Sequence, residues 1–179
     1  QAADQADPTN TSPVYFTAVF SKPIVPDTFT AEDVTLDGEV TGSVTGITQI
    51  APNDNTTFRI EVDNLTGNGS LIASIPAGAA EDSLGNANNP ATSTDNTVTY
   101  DTESPSVLIS TSTTGVTNTT PVTFTFTFSE DVTGFDLGDI TVTNGVAQIL
   151  AGVGSEYSAQ IIPDADGEVK VQLAAGVVM

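Results

Sequence analysis

The 179-residue chain contains no cysteine, no histidine and no tryptophan, and its only cationic side chains are Lys22, Arg59 and Lys170. Without cysteine there is no disulfide framework and no thiolate nucleophile. Without histidine there is no Ser–His–Asp triad and no imidazole-based zinc site. Three cations cannot neutralise a run of phosphates, which argues against any nucleic-acid partner. No apolar run reaches membrane-spanning length, so membrane insertion by this segment is not expected. Against the three cations stand 23 Asp and Glu, a net charge of −20. Such an excess keeps a chain soluble and leaves its carboxylates short of partners.

The dominant positive feature is an internal repeat. Asn10-Thr-Ser-Pro-Val-Tyr-Phe-Thr-Ala-Val-Phe-Ser21 returns without a gap as Asn118-Thr-Thr-Pro-Val-Thr-Phe-Thr-Phe-Thr-Phe-Ser129, a spacing of 108 residues. Asp33-Val-Thr-Leu36 is echoed by Asp139-Ile-Thr-Val142 at 106, Phe58–Val62 by Tyr157–Ile161 at 99, and 69–78 by 167–176 at 98. The falling spacing places the largest insertion of the first copy between residues 37 and 57. The repeat predicts a first domain over 1–101, a linker over 102–105 and a second domain over 106–179. The first copy lacks most of a counterpart to Ser106–Ser110, so its first strand reads as clipped. The second lacks a counterpart to Asn96-Thr-Val-Thr-Tyr100, and its missing final strand predicts an open sheet edge.

Within each copy the apolar residues recur with period two. Val122, Phe124, Phe126 and Phe128 alternate with threonines, as do Val14, Phe16, Ala18 and Phe20 with their neighbours. That pattern belongs to strands with one buried and one wet face. Turn signals at Asp37-Gly38, Asn68-Gly69, Asn144-Gly145 and Asp166-Gly167 separate the strands. Asp164-Ala-Asp-Gly167 lacks the full ligand set of a calcium loop and reads as a hairpin turn. About seven short strands per hundred residues predicts an all-β chain of two tandem immunoglobulin-like antiparallel β-sandwiches, the second lacking its final strand. The linker Asp101-Thr-Glu-Ser-Pro105 has no glycine, and its proline stiffens it.

The phrases Phe128-Ser-Glu-Asp-Val-Thr-Gly-Phe-Asp-Leu-Gly-Asp-Ile-Thr-Val-Thr-Asn-Gly145, Ala165-Asp-Gly-Glu-Val169 and Asp82-Ser-Leu-Gly-Asn86 resemble the bacterial Ig-like repeats of large extracellular surface adhesins of RTX type. So do 5–13 and 93–101. The resemblance implies an extracellular, cell-surface stalk or adhesin segment, repeated along its parent and often stiffened by calcium. Its implied partners are neighbouring Ig-like repeats of the same chain. The first copy departs from the pattern where Lys22-Pro23 replaces Glu130-Asp131.

The residues themselves also point towards a cation. Asp101 and Glu103 in the linker, and Glu130, Asp131, Asp136 and Asp139 in the loop between the second and third strands, are expected to converge at the junction between domains. Clustered carboxylates repel unless a cation lies among them, and an all-oxygen donor set selects Ca²⁺. Asp82 and Asn86 form a second candidate pair, open to either metal binding or an Asx turn. Glu130 and Asp136 could serve as acid and base on a glycoside. The absence of tryptophan and the placement of Tyr15, Tyr100 and Tyr157 on strand patterns argue for no enzymatic role. The expected function is a structural extender rigidified by Ca²⁺. The alternative is an adhesion module that binds a surface glycan or protein through the insertion at 37–57.

Overall fold

A computed structural model describes residues 1–178. The chain divides into two compact units, residues 1–103 and 104–179. Both are antiparallel β-sandwiches of immunoglobulin type.

The first unit contains β1 (Val14–Val19), β2 (Thr35–Gly38), β3 (Thr41–Gln49), β4 (Thr57–Thr66), β5 (Gly69–Ser74) and β6 (Thr97–Tyr100). They form two sheets, β1-β4-β3 and β2-β5-β6. Period-two alternation decides which face of each strand is buried. Val14, Phe16 and Ala18 of β1 lie opposite Val62, Ile60 and Phe58 of β4, and all six are buried. Leu71 and Ala73 of β5, with Val98 and Tyr100 of β6, close the core from the other sheet. Each fully buried Val, Leu, Ile or Phe contributes about 1.5–3 kcal/mol, so sandwich closure rests on these rows. Gly38 ends β2 at φ +108°, where a Cβ would lie 2.2 Å from the Ser70 carbonyl oxygen. Only glycine lets the two backbones approach that closely.

The second unit contains β7 (Val107–Thr111), β8 (Val122–Phe128), β9 (Ile140–Thr143), β10 (Gly145–Val153), β11 (Glu156–Pro163) and β12 (Lys170–Leu173). Its sheets are β10-β11-β8-β7 and β12-β9. The repeat carries through to side-chain packing. Phe20, Phe29 and Phe58 form an edge-to-face cluster with ring centroids 5.2–5.9 Å apart. The repeat spacings of 108, 106 and 99 carry those positions to Phe128, Phe135 and Tyr157, whose rings pack in the same way at 5.1–6.0 Å. Among the described residues, 15 buried residues form the first core and 7 the second, so the second unit is the less strongly consolidated.

One sequence expectation needs correction. Residues 164–167 do not close a hairpin, because β11 and β12 belong to different sheets. Asp37-Gly38, Asn68-Gly69 and Asn144-Gly145 likewise mark crossings between sheets. The hairpins are β3–β4 and β10–β11, and they account for much of the insertion in the first copy. Residues 50–56 connect β3 to β4, whereas only Gly154 and Ser155 connect β10 to β11.

Candidate metal centre

The loop of residues 129–139 carries four of the candidate acids and is held rigidly. Val132 and Phe135 are buried in the second core. Val132 donates its amide to the Gly154 carbonyl at 3.1 Å, and its own carbonyl accepts the Tyr157 hydroxyl at 3.3 Å. A Cβ at Gly154 would lie 2.8 Å from Asp131 Oδ1, so the Asp131 carboxylate packs directly over that glycine. At the start of the loop, Ser129 N donates to Ser106 O and Ser106 N donates to Ser129 Oγ, both at 2.9 Å. The acidic loop therefore sits at the end where the chain enters this unit.

Asp136 and Asp139 are brought together by backbone chemistry. Asp139 Oδ2 accepts the Asp136 amide at 2.8 Å, and Asp136 Oδ1 accepts the Gly138 amide at 2.6 Å. This is a reciprocal capping box around the single 3₁₀ turn of Leu137–Asp139. The first unit builds the same turn at Ala31–Asp33, where Asp33 Oδ2 accepts the Thr30 amide at 2.8 Å and its hydroxyl at 2.7 Å. The recurrence of Asp33 as Asp139 thus has a structural cause independent of any ion. Thr30-x-x-Asp33 and Asp136-x-x-Asp139 are capping-box spacings, the sequence signal that distinguishes these acids from free ligands.

Asp101 and Glu103 belong to the first unit. Asp101 Oδ1 accepts the Glu103 amide at 3.0 Å, and the Asp101 amide donates to Thr9 O at 2.9 Å. Thr102 is fastened as well: its amide and its hydroxyl both donate to Asn68 Oδ1 at 2.9 Å. The bonds described here use one carboxylate oxygen each of Asp101, Asp136 and Asp139.

Asp82 and Asn86 also meet, as a turn and an ion pair. Asp82 Oδ1 accepts the amides of Leu84 and Asn86 at 2.9 Å, and Asn86 Nδ2 donates to both carboxylate oxygens at 3.0–3.1 Å. Lys22 Nζ stands 2.5 Å from Asp82 Oδ2. The Lys22 ammonium, followed by the Asn86 amides, holds the Asp82 carboxyl well below the usual carboxylate range. A lysine here occupies the place a bound cation would take, so this pair fits a metal poorly. At the repeat spacing of 108, Lys22-Pro23 corresponds to Glu130-Asp131, so a cation stands in the first unit where the second carries a carboxylate.

The other cations are also paired. Arg59 Nη2 lies 2.7 Å from Asp4 Oδ2, with its guanidinium 4.0 Å from the centre of the Tyr15 ring. Lys170 Nζ lies 3.3 Å from Glu168 Oε2. The Asp4 carboxyl is lowered chiefly by its hydrogen bond from Arg59, Glu39 by the Ser70 amide, and Asp63 by the Ser12 hydroxyl. Within each unit, among the described residues, no three Asp or Glu side chains form a group able to hold a metal ion. Among the described residues, no helix is long and apolar enough to cross a membrane.

Neither the curated proteins nor the solved structures include a match to the chain. Residues 101–179, which span the second unit and its approach, match the family model described as the bacterial Ig-like domain, and the two sandwiches have the architecture that this match implies.

Proposed function

We propose that this chain is an extender segment of a bacterial cell-surface adhesin, whose two Ig-like units are held at a fixed spacing and braced by Ca²⁺ where they join. The observation that carries this reading is how little free chain lies between them. Thr102 is bonded to Asn68 of the first unit, and Ser106 is bonded to Ser129 of the second. Glu103 donates back to Asp101. Ser104 and Pro105 are left, and proline restricts both itself and the residue before it. A connection this short leaves few backbone torsions about which the units could swing.

Calcium enters through charge. Asp101 and Ser106 are five residues apart, at most about 18 Å of extended backbone, and Ser106 is bonded to the start of the loop bearing Glu130, Asp131, Asp136 and Asp139. Each Lys and Arg is paired elsewhere in its own unit, so the protein's own cations do not neutralise these carboxylates. Asp101, Glu103, Glu130 and Asp131, with the remaining oxygens of Asp136 and Asp139, would supply the hard-oxygen donors that Ca²⁺ prefers. Calorimetric titration of the chain with CaCl₂ tests this part. Binding with Kd of about 10⁻⁴–10⁻³ M, typical of extracellular modules, is expected, and Asp101→Asn and Asp131→Asn should weaken it severalfold. Absence of binding would reject the calcium brace while leaving the extender reading to be tested by scattering.

The glycan- or protein-binding alternative would use the longer turn at residues 50–56. Phe20 donates to Thr56 O at 2.8 Å and Ile24 to Asn55 O at 3.0 Å. Those bonds give the turn a bracing task within its own unit, so the extender reading accounts for it without a ligand.

A further inference from the structure

β3 and β10 are the longest edge strands of their units. Among the described residues β3 ends the sheet β1-β4-β3, and β10 ends the sheet β10-β11-β8-β7. Neither edge is open because of where the sequence begins or stops. β6, at the end of the first unit, pairs with β5, and β7, at the start of the second, pairs with β8. The terminal strands thus belong on other edges. Each of the two edge strands is nine residues long, Thr41-Gly-Ser-Val-Thr-Gly-Ile-Thr-Gln49 and Gly145-Val-Ala-Gln-Ile-Leu-Ala-Gly-Val153. In a chain of net charge −20, neither contains Asp, Glu, Lys, Arg or Pro. β10 also presents Val146 (52% exposed), Ile149 (62%) and Val153 (84%). A long, uncharged, apolar edge is a template for pairing with another chain.

Both strands are interrupted near the middle. In β3, Val44 pairs with Val62 and Gly46 with Glu61, so Thr45 has no residue opposite it. In β10, Gln148 pairs with Gln160 and Leu150 with Ala159, so Ile149 is the extra residue. At the repeat spacing of 99, Val62, Glu61 and Ile60 become Ile161, Gln160 and Ala159. The two bulges therefore fall one step apart along equivalent partner strands. Their residue types are not shared. Ile149 is held at φ +49°, a region that β-branched residues rarely enter, and burial of its exposed side chain does not explain it. What recurs is the interruption itself. A bulge bends the strand and breaks the regular spacing of outward N–H and C=O groups that an incoming strand must match.

The cores do not need the extra residues. Val44 and Ile47 pack on the first core, and Ala147 and Leu150 on the second. Without Thr45 or Ile149 the members of each pair would stand two residues apart and still share a face, since side chains alternate along a strand. We infer that the two bulges serve to keep β3 and β10 from pairing with the same edges of other copies of the repeat. The excluded partner is an identical strand, which would extend one sheet into the next. This inference rests on neither the calcium brace nor the adhesin reading.

The test compares the native chain with deletion of Ile149, deletion of Thr45 and Ile149→Gly, all in EGTA. Ile149→Gly keeps the bulge and relaxes its backbone, so it should stay monomeric and melt no lower than the native chain. Deletion of Ile149 removes an exposed apolar side chain, which by itself would lower association. The opposite is expected: sedimentation velocity should show this variant dimerising with Kd of about 1 mM or tighter, while the native chain stays monomeric. Deletion of Thr45 should act in the same way through β3. Amide exchange should slow with concentration at 146–153 in the first deletion and at 43–49 in the second. Either deletion, if folded yet monomeric at about 1 mM, would overturn the inference. Loss of the folded state in both deletions would overturn it in favour of a bulge required for sandwich closure. A native chain that already dimerises with its β3 or β10 amides protected would overturn it as well.

Discussion

Asp82 shows how a single carboxylate can be drawn away from metal chemistry. Its oxygens face the Lys22 ammonium and the amides of the 82–86 turn. A carboxyl whose folded pKa is depressed contributes stability above its unfolded pKa, near 3.9, and that contribution is lost as pH falls through the lower folded value. Asp82→Asn should therefore destabilise the first unit at pH 7. The gap between variant and native chain should stay constant down to about pH 5 and shrink on acidification below pH 4. Urea melts at a series of pH values read this; a gap that does not depend on pH would refute the ion-pair account. Asp139 gives a second residue-level test. Asp33→Ala and Asp139→Ala each remove an acceptor from a capping box and should each cost about 0.5–2 kcal/mol in calcium-free buffer. If Asp139 served only an ion, its replacement would cost nothing under chelation.

At the scale of elements, the aromatic cluster under each loop fixes that loop. Phe135 packs on Phe126, Phe128 and Tyr157, and Phe→Ala at such a site costs about 3–5 kcal/mol. With the smaller core, the second unit should unfold first. Phe135→Ala should abolish the earlier of two transitions in denaturant, whereas Phe29→Ala should shift the later one; a single shared transition in both variants would contradict this. The strands were legible in the sequence because alternation in Val122–Phe128 and Val14–Val19 reports directly which side chains are buried. The ion pair of Lys22 with Asp82 was not, since 60 residues separate the partners and only the fold brings their loops together. The direction of the turns was misread at Asp166-Gly167 for a related reason. A glycine turn says that the chain reverses, not whether it re-enters the same sheet. The acidic candidates were legible as a set, but backbone acceptance by Asp101, Asp136 and Asp139 depends on local geometry that charge counting ignores.

For the whole molecule the issue is rigidity. On the proposed reading, two sandwiches joined through Ser104 and Pro105 would behave as one stiff segment once a divalent ion is held by Asp101 and the acids of the 129–139 loop. An ion that binds only the folded form also raises its stability by mass action. Small-angle X-ray scattering of the native chain, in millimolar CaCl₂ and again after EGTA, tests this claim most directly. The account predicts a profile of a single extended particle with calcium, broadening to that of two hinged bodies on chelation and returning when calcium is restored. Identical profiles of freely hinged bodies in both conditions would contradict it.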